Sequence, residues 1–233
     1  MLPDVAVEDI FSDLIEEAAD QLLDQYRDFA GAFDLPVPVE SIAEHFLKYD
    51  LEITNEGLFA DPGFLGGISF ETNTIFVNAS IEDHEGRYTF TIAHEIGHHV
   101  LHKELYDELI SDRSQILCRE EKKKPLIEQQ ADRFAACLMM PHRMLVDKVE
   151  KYGKPMPRTL GDTLRLANHL NQKCGFQNVS ISALVNRLKD LGLVHRSIPY
   201  QTGTRWRSAT SWNPASFIMR RLKRWVVLIQ SGR

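Results

Sequence analysis

A chain of 233 residues with 43% hydrophobic and 26% charged residues has enough apolar mass for one ordinary domain with a core plus an appendage, and its composition excludes fibrous and low-complexity classes. It has no 18-residue apolar run and no basic-then-apolar leader, and its three cysteines (Cys118, Cys137, Cys174) form no Cys-x-x-Cys pair, so no membrane span and a reducing, cytoplasmic setting are expected. The net charge of −6 is uneven: residues 196–233 hold eight Arg and Lys and no carboxylate, leaving 19 basic and 33 acidic residues in 1–195.

Residues 5–29 place Val7, Ile10, Phe11, Leu14, Ile15, Ala18 and Leu22 at helical spacing, with Asp9, Asp13, Glu16, Glu17, Asp20 and Asp24 on the other side. The pattern reads as a docked helix with a solvated acidic face rather than a surface for a basic partner. An extended Leu35-Pro-Val-Pro-Val connector follows, and Ser41-x-x-Glu44 has the form of a capping box opening a short helix to Tyr49. Strand-like pieces at 51–54, 64–70 and 73–78 then predict a small antiparallel sheet. An open edge of that sheet could hold an extended peptide by main-chain hydrogen bonds, with 73–78 as the strand to examine.

Residues 87–102 contain His94-Glu95-x-x-His98. Two imidazoles four residues apart on one helix share a face and can grip one metal ion, with the adjacent carboxylate placed as a base. Three-residue patterns do occur by accident, so context matters. Phe90, Ala93, Gly97, Val100 and Leu101 predict that this helix is buried along one neighbouring stripe. A second helix is expected from Ile127 up to Pro141, apolar through Ile127, Ala131, Phe134, Ala135 and Leu138. Glu128 on it is the best third ligand, and Asp132, one turn on, can orient a ligand histidine. Gly97, Ala131 and Ala135 would let the two helices pack closely. Two histidines and a carboxylate point to Zn2+, though Mn2+ or Fe2+ could occupy the same set.

These two helices, Phe-Thr-Ile-Ala-His-Glu-Ile-Gly-His-His-Val-Leu-His and Glu-Gln-Gln-Ala-Asp-Arg-Phe-Ala-Ala-Cys-Leu-Met-Met-Pro, resemble those of the ImmA/IrrE metallo-endopeptidases, zincins with a glutamate third ligand. The likeness extends more loosely over 35–195. It implies an α+β, mostly helical fold with a zincin-like core. His94, His98 and Glu128 would bind zinc, and Glu95 would be the catalytic base. It also implies cleavage of a helix-turn-helix repressor that relieves repression in a stress response or a mobile element. Cys137 stands where the family most often has a glutamate, a departure that leaves the ligand set untouched. The rival reading is a non-proteolytic regulator or toxin-antitoxin component using the same fold for binding. Retention of Glu95 and of every ligand favours catalysis.

Tyr88, His102, Tyr106 and His142 are candidates for a further donor to the reacting carbonyl. His102, one turn past His98, reads as a wall or a partner of a ligand rather than a ligand itself. The charged run at 119–125 lies between the ligand helices in sequence and could border a cleft. After a Pro/Gly joint at 151–157, helices at 160–173 and 181–191, the second capped by Ser180 and stopped by Gly192, resemble the helix-turn-helix-like segment of the family. Ser180, Ser182, Asn186 and Arg187 are a thin set for reading DNA, so a structural or docking role is expected there. The chain thus divides into a peptidase part at 1–150, a helical segment at 157–195 and a basic tail at 196–233. The tail reads as docking on the acidic body rather than on nucleic acid or membrane. Oligomeric state is left open.

Overall fold

The computed structural model of the protein describes residues 7–111, 126–195 and 198, with side chains over 13–104, 127–195 and 198. The charged run 119–125, the basic tail apart from Ile198, Cys118 and the ring of Tyr106 lie outside the described residues.

Helix α1, Val7–Ala30, buries Ile15, Ala18, Ala19, Leu22, Leu23 and Tyr26, a stripe at three- and four-residue spacing that turns one face of the helix to the core. Helix α2, Val39–Ser41, passes directly into a π-helical turn, Ile42–Phe46. The expected capping box is not made. Pro38 precedes the first turn with φ −79° and Ser41 is already helical, with no side-chain cap. A proline has no N–H to satisfy and a preset φ, so it can open a helix without a capping hydroxyl.

Strands β1 (Asp50–Thr54), β2 (Gly66–Ser69) and β3 (Thr74–Asn78) form one sheet in the order β1-β3-β2. The sheet is mixed rather than purely antiparallel. β2 and β3 make an antiparallel hairpin with Ser69 opposite Thr74, whereas β1 runs parallel to β3 with Leu51 opposite Ile75. A tight turn forces antiparallel pairing, but the long excursion between β1 and β3 gives the chain room to return in the same direction. Residues 74–78 therefore form the central strand rather than an open edge, and β2 is an edge. Asn78, 1% exposed, organises the connection from β1: its Nδ2 donates to the carbonyls of Phe59 at 2.8 Å, Phe64 at 2.9 Å and Asp61 at 3.2 Å.

Helix α3, Glu85–Ser111, packs against the sheet and against α4, Leu126–Met139. It is not buried on a single stripe. Ile92, Ala93, Ile96 and Val100 are buried, and so are Thr89, Thr91, Glu95 and His102, while the expected core residue Phe90 is 36% exposed. A helix covered by a sheet on one side and a helix on the other loses the amphipathic contrast of a surface helix. On α4, Phe134, Ala135 and Leu138 are buried as the pattern predicts, but Ile127 is 42% exposed at its start. A Cβ on Gly97 would lie 3.1 Å from Ala131 Cα and 3.3 Å from Phe134 Cβ, so α3 and α4 meet backbone to backbone there.

Helices α5 (His142–Tyr152), α6 (Leu160–Lys173) and α7 (Ile181–Asp190) complete the described fold. Thr159 caps α6 and Ser180 caps α7, each accepting from a backbone N–H at 3.1 Å. Leu166, Leu170, Leu184, Val185 and Leu188 join the same apolar core as α1, α3 and α4. Arg187 joins it too, at 1% exposed. Its guanidinium grips the Glu16 carboxylate through both terminal nitrogens, and Nε donates to the Met140 carbonyl at 3.1 Å. Cys137 donates to Glu16 at 3.3 Å, and Arg133 pairs with Asp190. Arg187 is thus withdrawn from the set considered for DNA reading, and Glu16 from the solvated face of α1. Both sit at the margin of an apolar stripe, where a charged residue can be buried once its counter-charge comes from another helix. Among the described residues no helix is long and apolar enough to cross a membrane.

Candidate metal centre

His94 and His98 stack on one face of α3, with ring centroids 4.8 Å apart. Their Nε2 atoms are 3.1 Å from each other. Glu128, on the first turn of α4, lies 3.3 Å from each of them, Oε2 toward His94 and Oε1 toward His98. These are the atoms expected as ligands, and they close a triangle. An ion held tetrahedrally at about 2.0–2.1 Å from each donor has donor–donor edges of about 3.3 Å, so the three side chains fit such an ion. Two imidazole nitrogens facing each other so closely also need a proton or a cation between them.

The electrostatics agree with the geometry. Burial opposes a charge on His94, but hydrogen bonds to Asp132 and Glu128 outweigh it and hold its pKa up at about 9. His94 and His98 in turn draw the Glu128 carboxyl well below the usual carboxylate range. The cluster is electrostatically suited to a positive charge.

Asp132 meets His94 Nδ1 at 2.9 Å, the bond expected of it. His102 is not part of the triangle. It is 7% exposed, lies behind His98 with the two Nδ1 atoms 3.0 Å apart, and reaches Gln130 Oε1 at 3.1 Å through Nε2. Burial pushes the His102 pKa down to about 4. Tyr88 is not brought to the cluster: it packs against the core, and burial and the carboxylates of Glu40, Glu44 and Glu82 push its pKa up. His142 is exposed at the start of α5, in the field of Asp20 on α1.

Glu95 is 5% exposed and adjoins the edge strand. A Cβ built on Gly66 would lie 3.2 Å from Glu95 Oε1 and 2.2 Å from Thr91 Cγ2. Only a glycine lets β2 come so near the carboxylate. Sequence reasoning missed Gly66 and Gln130. The Gly66-Gly67 pair inside a strand-like run was the available signal for the first, since glycine within a strand often marks a close approach. The second carried none.

A family model for the IrrE N-terminal-like domain of the M78 peptidases matches residues 44–188. The radiation response metalloprotease IrrE of Deinococcus radiodurans is 31% identical over 102 residues, which is 44% of this chain and 29% of that relative. The aligned stretch thus spans under a third of the relative's length. Because the family match takes in both ligand-bearing helices and well over half of the chain, the chain belongs to the ImmA/IrrE-type M78 metallopeptidase family.

Proposed function

We propose that the protein is a zinc-dependent endopeptidase that cuts a protein substrate, a helix-turn-helix repressor, and so relieves repression. The observation that carries the peptidase reading is the triangle of two Nε2 atoms and one carboxylate with a buried Glu95 beside the edge of the sheet. His94, His98 and Glu128 would hold the metal, and Asp132 orients His94. When bound, the ion supplies Lewis acidity to the scissile carbonyl and to water.

Glu95 takes the proton of the attacking water on its carboxylate and returns it to the leaving amine. Its burial keeps competing solvent away from that proton. Asn78 N–H donates to the Leu65 carbonyl at 2.9 Å, so the alternation of an antiparallel pair turns the main-chain groups of Gly66 and Ile68 away from β3, toward the open edge. An extended substrate pairing there would lie against Glu95. In this reading the segment 157–195 braces the peptidase part at 1–150 through Arg187 and Glu16, and recognition of DNA is not its task.

Glu95→Gln is the deciding variant. With the repressor as substrate, cleavage should fall by roughly 10²–10⁴-fold while zinc content by elemental analysis stays at wild-type level. Repression relieved normally by that variant in cells would instead support the non-proteolytic regulator.

A further inference from the structure

The two histidines of the triangle are backed by different chemistry. Behind His94 stands a carboxylate, with Asp132 Oδ1 at 2.9 Å from Nδ1. Behind His98 stands a second imidazole, and behind that the side-chain amide of Gln130. His102 and Gln130 are each 7% exposed, so bulk water does not stand in for either partner.

Two ring nitrogens in contact share one hydrogen, so one donates and the other accepts. This step rests on the reading above, in which His98 offers Nε2 to the metal. Its remaining hydrogen is then on Nδ1, which donates to Nδ1 of His102. His102 must therefore be bare at Nδ1 and carry its hydrogen on Nε2. That N–H needs an acceptor, and Gln130 presents Oε1 to it at 3.1 Å.

We propose that Gln130 is a positioning residue for the metal centre: by accepting from His102 it fixes the tautomer of His102, and through it the hydrogen of His98 on Nδ1 and the lone pair on Nε2. The chain of bonds ends on a neutral amide. The centre already gathers the carboxylates of Glu95, Glu128 and Asp132 around a place for one divalent cation, and an amide adds no fourth negative charge. Gln130 is two residues from Glu128 and next to Ala131, whose backbone meets Gly97. The packing that delivers the third ligand also delivers the end of the relay.

Ring-nitrogen NMR of the full chain loaded with zinc reads the tautomers directly. His102 should show a bare Nδ1 and a hydrogen-bearing Nε2; a hydrogen on Nδ1 overturns the proposal. Competition with a chelator, using zinc alone, supplies the second arm. Gln130→Leu should bind zinc roughly 10–100-fold more weakly, and Gln130→Glu, which keeps an acceptor but adds a charge, should lose clearly less than Gln130→Leu. Full affinity in Gln130→Leu, or equal loss in both variants, overturns the relay and leaves the ligand set standing. No zinc binding by the unmodified chain, or undiminished binding by Glu128→Gln, overturns the ligand set and the relay with it.

Discussion

His94, His99 and His102 lie within three turns of α3, yet the fold treats their protons in opposite ways. His94 is held up at about 9 by its two carboxylate partners against the cost of burial, whereas burial pushes His99 and His102 down to about 4. Between pH 4 and 6.5 the unfolded chain binds more protons at His99 and His102, so stability there rises with pH. Between 6.5 and about 9 the folded metal-free chain binds more at His94, so the stability that His94 contributes is lost as pH rises through that window. The metal-free protein should therefore show a histidine-dependent maximum in unfolding free energy near pH 6.5, seen in urea titrations across pH. Zinc displaces the His94 proton, so its apparent affinity should climb by up to about tenfold per pH unit toward pH 9; a flat profile would rule His94 out as a ligand. Gly66 is the other position where one atom decides the outcome. Gly66→Ala puts a methyl group into Thr91 beside Glu95, and overpacking of this kind costs about 1–3 kcal/mol. Urea unfolding should show that loss, with cleavage reduced further than zinc content.

At the scale of elements, the α3–α4 contact and the α1–α4–α7 tie do separate jobs. The first needs Gly97: Gly97→Leu should push α4 away, taking Glu128 with it, and zinc affinity should fall along with stability. The second is the buried ion pair of Glu16 and Arg187. Removing one partner of such a pair costs about 3–5 kcal/mol because the other charge is left buried and unpaired, while replacing both by apolar groups is often near neutral. Arg187→Met should thus destabilise strongly, and Glu16→Leu with Arg187→Met should recover most of the loss in chemical denaturation. An additive double variant would mean that the pair is not coupled. The helices themselves were legible from periodicity, with one cap and one stop read correctly: α7 starts at the Ser180 cap, and α4 stops short of Pro141; the Thr159 cap of α6 was not read from the sequence. The strand directions were not, because alternation specifies which face is buried and is silent on whether the neighbour runs parallel.

Across the whole molecule, one apolar core runs from α1 through α7, so the helical segment after the peptidase helices shares its stability with them. Residues 94, 95, 98 and 128 could be singled out from the chain alone, since a four-residue helical repeat brings two imidazoles to one face and Glu128 opens the next helix. Local geometry sufficed for that much. What only tertiary structure decided is everything that depends on a second element arriving: the carboxylate of Glu128 against both Nε2 atoms, Gln130 behind His102, Gly66 against Glu95, and Arg187 buried on Glu16 instead of facing solvent. A side chain's period along a helix says which way it points, but its charge, tautomer and burial are set by the partner it meets, and those partners come from residues 28 to 171 positions away in the chain.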